Sequence, residues 1–211
     1  MAHHIITTLL TAALLNVPSA ATTPTERANI NIVVATDDQA EIAAWALGRY
    51  ETAGLELPPL TIRFSDPTPT GCDRAAARVH LDESPIRIEI CWSNPFILLH
   101  ELAHIWEARN VPEAKHATFI ATRIDVESWA SLDVPWNQRG REHAANVIAW
   151  DLLEEPFPIS RTYPNNPDQL RDAYHYLTGN QPLHDGGSPI ATPDRSFFTP
   201  DRANTHLETR Q

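Results

Sequence analysis

The sequence predicts an α+β domain in which a small mixed or antiparallel sheet is followed by a helical half. Three observations predict it. From Ile30 to Cys91 the apolar residues fall in runs of strand length separated by Pro, Gly and Asp. From Pro95 onward they recur at helical spacing, in segments that carry their own start and stop residues. A chain of 211 residues, 42% hydrophobic and with six Trp, can fill one core.

The first element is of another kind. Ile5 to Val17 reads IITTLLTAALLNV, uncharged, and is followed by the small residues Ser19, Ala20 and Ala21. At roughly 13 residues it is too short to span a bilayer but suits the apolar region of a secretory signal peptide. Residues 1–21 are therefore expected to be an export signal, and 29–179 the folded domain. Ile30 to Ala35 is a strand-like run ending at the helix start Thr36-Asp37-Asp38. A helix follows over Gln39 to Tyr50, with Ile42, Ala43, Trp45, Ala46 and Leu47 apolar and Gly54 as its stop. Leu60 to Ser65 reads as a second strand and residues 66–71 as loop. Ala77 to Asp82 and Ile86 to Cys91 form a hairpin turning at Glu83-Ser84-Pro85.

Cys72 and Cys91, the only two cysteines, flank that region. In an exported chain they are expected to pair, worth about 3 kcal/mol through restriction of the unfolded chain; in a reducing compartment they would be two buried thiols.

Helices dominate thereafter. Ser93 or Asn94 can cap a helix whose first turn holds Pro95, giving a helix from Pro95 to Arg109. Others are expected over Pro112 to Ile124, Arg141 to Leu153 and Pro167 to Leu177. Beyond Gln181 the composition turns to Pro, Gly, Thr and Asp, so residues 180–211 are expected to form an extended or disordered polar tail.

Charge narrows the partners. With 16 Lys+Arg against 27 Asp+Glu the net charge is −11, and no basic patch offsets it. Nucleic acid and anionic membrane surfaces lose their electrostatic rationale, because phosphate binding is led by clustered cations. A monomer acting on a peptide or protein is expected instead.

The chemistry is carried by His100-Glu101-Leu102-Ala103-His104, inside the helix that begins at Pro95. Side chains four apart share one helical face, so both imidazoles can reach one ion, and Glu101 borders that face. This HExxH pattern is the signature of zinc peptidases, in which the two His hold Zn²⁺ and the Glu takes a proton from water. A catalytic zinc needs a third protein ligand. Glu142 is the choice, on the helix that begins at Arg141, where Ala144, Ala145 and Ala149 permit close helix contact. Asn146, one turn on, can accept the free N–H of a zinc-bound His. His143, Asp125 and Glu127 stay open as competing ligands.

HELAHIWE followed by WNQRGREHAANVIAWDL, with Gly71-Cys72 and Cys91 before the zinc helix, resembles the small secreted zincin-like metallopeptidases of high-GC bacteria and, more distantly, the thermolysin-type gluzincins. The resemblance spans about Cys72 to Gly179 and implies His100, His104 and Glu142 as zinc ligands, Glu101 as general base and Asn146 behind a ligand. Asn146 stands where gluzincins usually carry an acid, which weakens the pull on the imidazole. The implied activity is peptide hydrolysis outside the cytoplasm. A donor for the tetrahedral oxyanion is expected from a His or Tyr, with His175, Tyr174, Tyr163 and His116 as candidates. A substrate-pairing edge strand is expected in the hairpin, where Arg78 and Arg87 could select acidic groups. Trp106 and Trp150 are expected as core anchors, with Trp129 and Trp136 covering the loop between the ligand helices. Two other functions fit the same residues: a zinc-stabilised surface binding module without catalysis, and an amidase acting on a cell-wall peptide.

Overall fold

The computed structural model describes residues 29–33, 36–65, 75–153 and 167–183. The signal segment, Cys72, Tyr163 and the tail beyond residue 183 lie outside them. The architecture is α+β: β1 (Ile30–Val33), α1 (Asp37–Thr52), β2 (Leu60–Phe64), β3 (Ala77–His80), β4 (Ile86–Ile90), α2 (Pro95–Asn110), α3 (Glu113–Ala121), α4 (Gly140–Leu152) and α5 (Pro167–Thr178). A 3-10 turn at Trp136–Gln138 precedes α4.

The four strands form one mixed sheet in the order β1-β2-β4-β3. The crossover through α1 makes β1 and β2 parallel, and β2 is parallel to β4 in turn. With β2 on one side of β4, its hairpin partner β3 must lie on the other, antiparallel and at the sheet edge. Alternation decides which face is buried. Leu60, Ile62 and Phe64 of β2 and Ile86, Ile88 and Ile90 of β4 face the core, because side chains two apart share a face. Cys91 is buried where β4 ends.

α1 begins at the expected signal, with the Thr36 hydroxyl accepting from the Gln39 amide (3.3 Å). Its Tyr50 donates to the Leu99 carbonyl at 2.8 Å and its Arg49 to the Leu152 carbonyl at 2.7 Å. One helix is thus tied to both α2 and α4. α2 starts at Asn94, whose side-chain oxygen accepts from the amides of Phe96 (2.9 Å) and Ile97 (3.3 Å), with Pro95 in the first turn.

From Leu98 to Glu107 almost every α2 residue is buried, and so is α4 from Glu142 to Leu152. α2 runs between the sheet and α4, which explains why neither helix has a solvated face. α3 is shorter than expected, since residues 122–124 turn away after Ala121. α4 opens one residue early, at Gly140. A Cβ there would stand 2.9 Å from Trp129 Cε3 and 3.2 Å from Ile120 Cγ1. Glycine is what lets the chain enter α4 under that indole.

Candidate metal centre

Close packing of α2 against α4 sets the site. His100 and His104 rise one turn apart from α2, and Glu142 meets them from the first turn of α4. All three are buried, and they form a group able to hold a metal ion. His104 Nε2 lies 3.1 Å from His100 Nε2 and 3.1 Å from Glu142 Oε2, while His100 Nε2 lies 3.3 Å from the same oxygen. Ligand atoms about 2.1 Å from a tetrahedral ion stand about 3.4 Å from one another, so this triangle is close to the edge length a small cation requires.

The triangle can be held together by a shared proton or by a metal ion. His100 Nδ1 lies 2.9 Å from Asn146 Oδ1. An amide oxygen only accepts, so in the neutral ring Nδ1 carries the proton and Nε2 presents a lone pair towards Glu142. Two acceptors 3.3 Å apart repel unless a proton or a metal ion lies between them. Asn146 is thus placed to favour the tautomer that leaves His100 Nε2 free, as a metal ion would require.

His104 is supported differently. Its Nδ1 is buried without a hydrogen bond and stands 3.8 Å from Glu107 Oε1, an electrostatic contact too long for a hydrogen bond. Glu107 is itself buried and lies 3.8 Å from Arg141 Nε. Sequence reasoning missed this carboxylate. Its signal was an acid three residues after His104, next to the apolar Ile105 and Trp106 on a helix with no wet side.

Burial opposes the charge on His104, but Glu107 and Glu142 outweigh it and raise its pKa to about 9. Burial pushes the Glu142 carboxyl up, yet His100 and His104 pull it the other way and leave it well below the usual carboxylate range. Glu101, half-buried, moves upward because burial outweighs the attraction of His100, His104 and Arg141. That direction suits a carboxylate that must accept a proton near neutral pH.

A cavity of about 1010 Å³ opens over these groups. Its floor holds His100, Glu101, His104 and Glu142, and one wall is Ala77, Arg78 and Val79 of the edge strand β3. Trp136, Arg139 and Arg141 close the other side. Trp136 thus does more than cover a loop: its ring lies 6.2 Å from the His100 ring. Trp106 and Trp150 are buried as expected, and Trp129 stacks on His116 at 3.8 Å.

The competing ligands are elsewhere. His143 is turned away, with Nε2 donating to the Asn137 carbonyl at 2.8 Å, and burial lowers its pKa. Asp125 and Glu127 are exposed and outside the metal-binding group. Of the expected oxyanion donors, Tyr174 is buried with its hydroxyl unpaired, His175 is exposed and bonded to the Asn180 carbonyl, and His116 is under Trp129; none lines the cavity. Arg87 is clamped by Glu83 at 2.7 Å and Glu89 at 3.3 Å, so of the two hairpin arginines only Arg78 reaches the cavity.

No family model matches the chain, and no curated protein or solved structure does either. What the residues themselves establish is a buried His100, His104 and Glu142 group able to hold a metal ion, with Glu101 beside it in the cavity floor.

Proposed function

We propose that this protein is a secreted zinc-dependent peptidase of zincin-like build, with Glu101 as general base and His100, His104 and Glu142 as metal ligands. The observation that carries the reading is the triangle of ligand atoms with a carboxylate of raised pKa beside it at the floor of an open cavity. Two imidazoles and one carboxylate are a donor set that suits zinc and leaves a fourth position for water or substrate. Zinc, when bound, supplies a Lewis acid for the scissile carbonyl and lowers the pKa of water.

The chain's residues do the rest. Glu101 takes the proton from the attacking water and returns it to the leaving amine. β3, the edge strand among the described residues, lies beside the cavity and can align an extended peptide over the ligands. Phe96, Ile97 and Trp136 limit water around the reacting atoms. Export and a Cys72–Cys91 bridge belong to the same proposal, supported by the uncharged leader and by a buried Cys91 that is not a free thiol.

The test is direct. Purified protein should contain close to one zinc per chain and cleave unstructured peptides; Glu101→Gln should keep the zinc and lose cleavage by at least about 100-fold. Undiminished cleavage by that variant removes Glu101 from the mechanism.

A second reading is a zinc-stabilised binding module, favoured because, among the described residues, Tyr174, His175 and His116 do not line the cavity. Stoichiometric zinc without cleavage of a diverse peptide library would establish it. Release of fragments from cell walls, with no cleavage of casein, would mark an amidase instead.

A further inference from the structure

The cavity carries a charge pattern opposite to that of the chain. Overall the protein is at −11, yet Arg78, Arg139 and Arg141 all line this one cavity. Among the described lining residues the acids are Glu101 and Glu142, both already assigned to the metal centre. With a divalent cation offsetting those two carboxylates, the arginines tip the described lining towards positive charge, even with Glu107 beside Arg141. An enclosed field of that sign concentrates and orients anions.

Arg141 is the best placed of the three. It precedes the ligand Glu142 on α4 and lines the same cavity as Glu101. Glu107 holds it from behind: Nε is buried, has no hydrogen bond, and stands 3.8 Å from the Glu107 carboxylate. The side chain nevertheless keeps 29% exposure and lines the cavity. With only this long ion pair on its Nε side, the guanidinium keeps its terminal nitrogens as a planar pair of donors, the geometry that grips a carboxylate. Arg139 is anchored differently, with Nε and Nη2 donating to the Val134 carbonyl at 3.1 and 3.0 Å. Its partner is neutral, so its charge, unlike that of Arg141, is not offset by that bond.

We propose that the cavity selects peptides bearing a side-chain or terminal carboxylate beside the scissile bond, with Arg141 as the recognition residue and Arg139 reinforcing it. The position beside a cleaved bond rests on the peptidase reading; the binding of an acidic group does not.

The experiment uses the zinc-loaded full chain and matched peptides carrying Glu, Gln or Lys on either side of the cleaved bond. At one flanking position kcat/KM should be at least about tenfold higher for Glu than for Gln, and lowest for Lys, with the preference shrinking as salt rises. Arg141→Gln should bring Glu and Gln within about twofold while zinc content is unchanged; Arg141→Lys should restore part of the preference. As a readout independent of turnover, calorimetry on the Glu101→Gln protein should find N-acetyl-glutamate amide bound about tenfold more tightly than its glutamine analogue. Should Arg141→Gln fail to fold, the same comparison on Arg139→Gln should show a smaller but measurable loss. Cleavage with no preference for Glu, together with equal binding of the two amides, overturns the proposal and leaves the peptidase reading standing. Tighter binding of the Glu amide with no cleavage of any peptide overturns the peptidase reading and leaves acid selection standing.

Discussion

His104 and Glu142 make the metal-free protein sensitive to pH from both sides. The His104 pKa is raised from 6.5 to about 9, so its stabilising charge is fully present below about 6.5 and lost as pH rises through 9. The Glu142 pKa is depressed from 4.5, so its contribution is present above about 4.5 and lost as pH falls below that. In chelator the protein should therefore be most resistant to heat between about pH 4.5 and 6.5. Its stability should then decline towards pH 9 by on the order of 2–3 kcal/mol, counted once for the pair, and its melting temperature should fall with it. Melting curves across that range check it, and a flat profile would remove the coupling. Metal binding must displace the His104 proton, so zinc affinity should rise with pH up to about 9 and then level off. Titration against a competing chelator at several pH values measures that slope. Asn146→Ala should weaken zinc binding about 10- to 100-fold without unfolding the chain, because only the tautomer and angle of His100 are released.

Two helix starts position the ligands, and each can be weakened separately. Asn94→Ala removes the acceptor for the Phe96 and Ile97 amides at the head of α2, which should cost about 1 kcal/mol by urea denaturation. His100 and His104 sit well past the capped turn, so zinc stoichiometry should survive. Gly140→Ala acts at the head of α4, where the new methyl would meet Trp129 at 2.9 Å. A shift of either the indole or the helix start should cost about 1–3 kcal/mol, and because Glu142 is two residues away, zinc affinity should fall as well. Comparing the two variants separates damage to α2 from damage to the third ligand.

The metal would join two helices that already form the centre of the molecule. Ligands on α2 and α4 bind only when those helices are packed, so zinc binding adds directly to folding stability. At zinc concentrations about 1,000-fold above Kd the gain is about 4 kcal/mol. For a domain of this size that corresponds to a drop of about 8–16 °C in Tm when zinc is removed by chelation, reversible on adding it back. A Tm that ignores chelator would mean that the His100, His104 and Glu142 triangle holds no metal.

Much of this was legible one residue at a time. The order and type of the helices and strands among the described residues follow from local signals: Thr36 and Asn94 as caps, Pro95 in a first turn, the alternating Ile86, Ile88 and Ile90. The two motif imidazoles share a face because four residues make just over one helical turn. Boundaries were less legible. α3 stops at Ala121 rather than near Ile124, because turn hydrogen bonds to the Phe119 and Ile120 carbonyls replace the helical ones.

What the sequence by itself determined is what one segment can encode: the elements, their caps, the HExxH pair and an overall charge of −11. Only the tertiary structure decided what distant segments do to one another. It brought Glu142 rather than His143, Asp125 or Glu127 to the two His, since the approach of α4 to α2 selects which side of α4 faces the ligands. It also set Glu107 behind His104 and gathered Arg78, Arg139 and Arg141 around one cavity in an acidic protein. Charge and coordination act through space, and the distances that govern them exist only once the helices have packed.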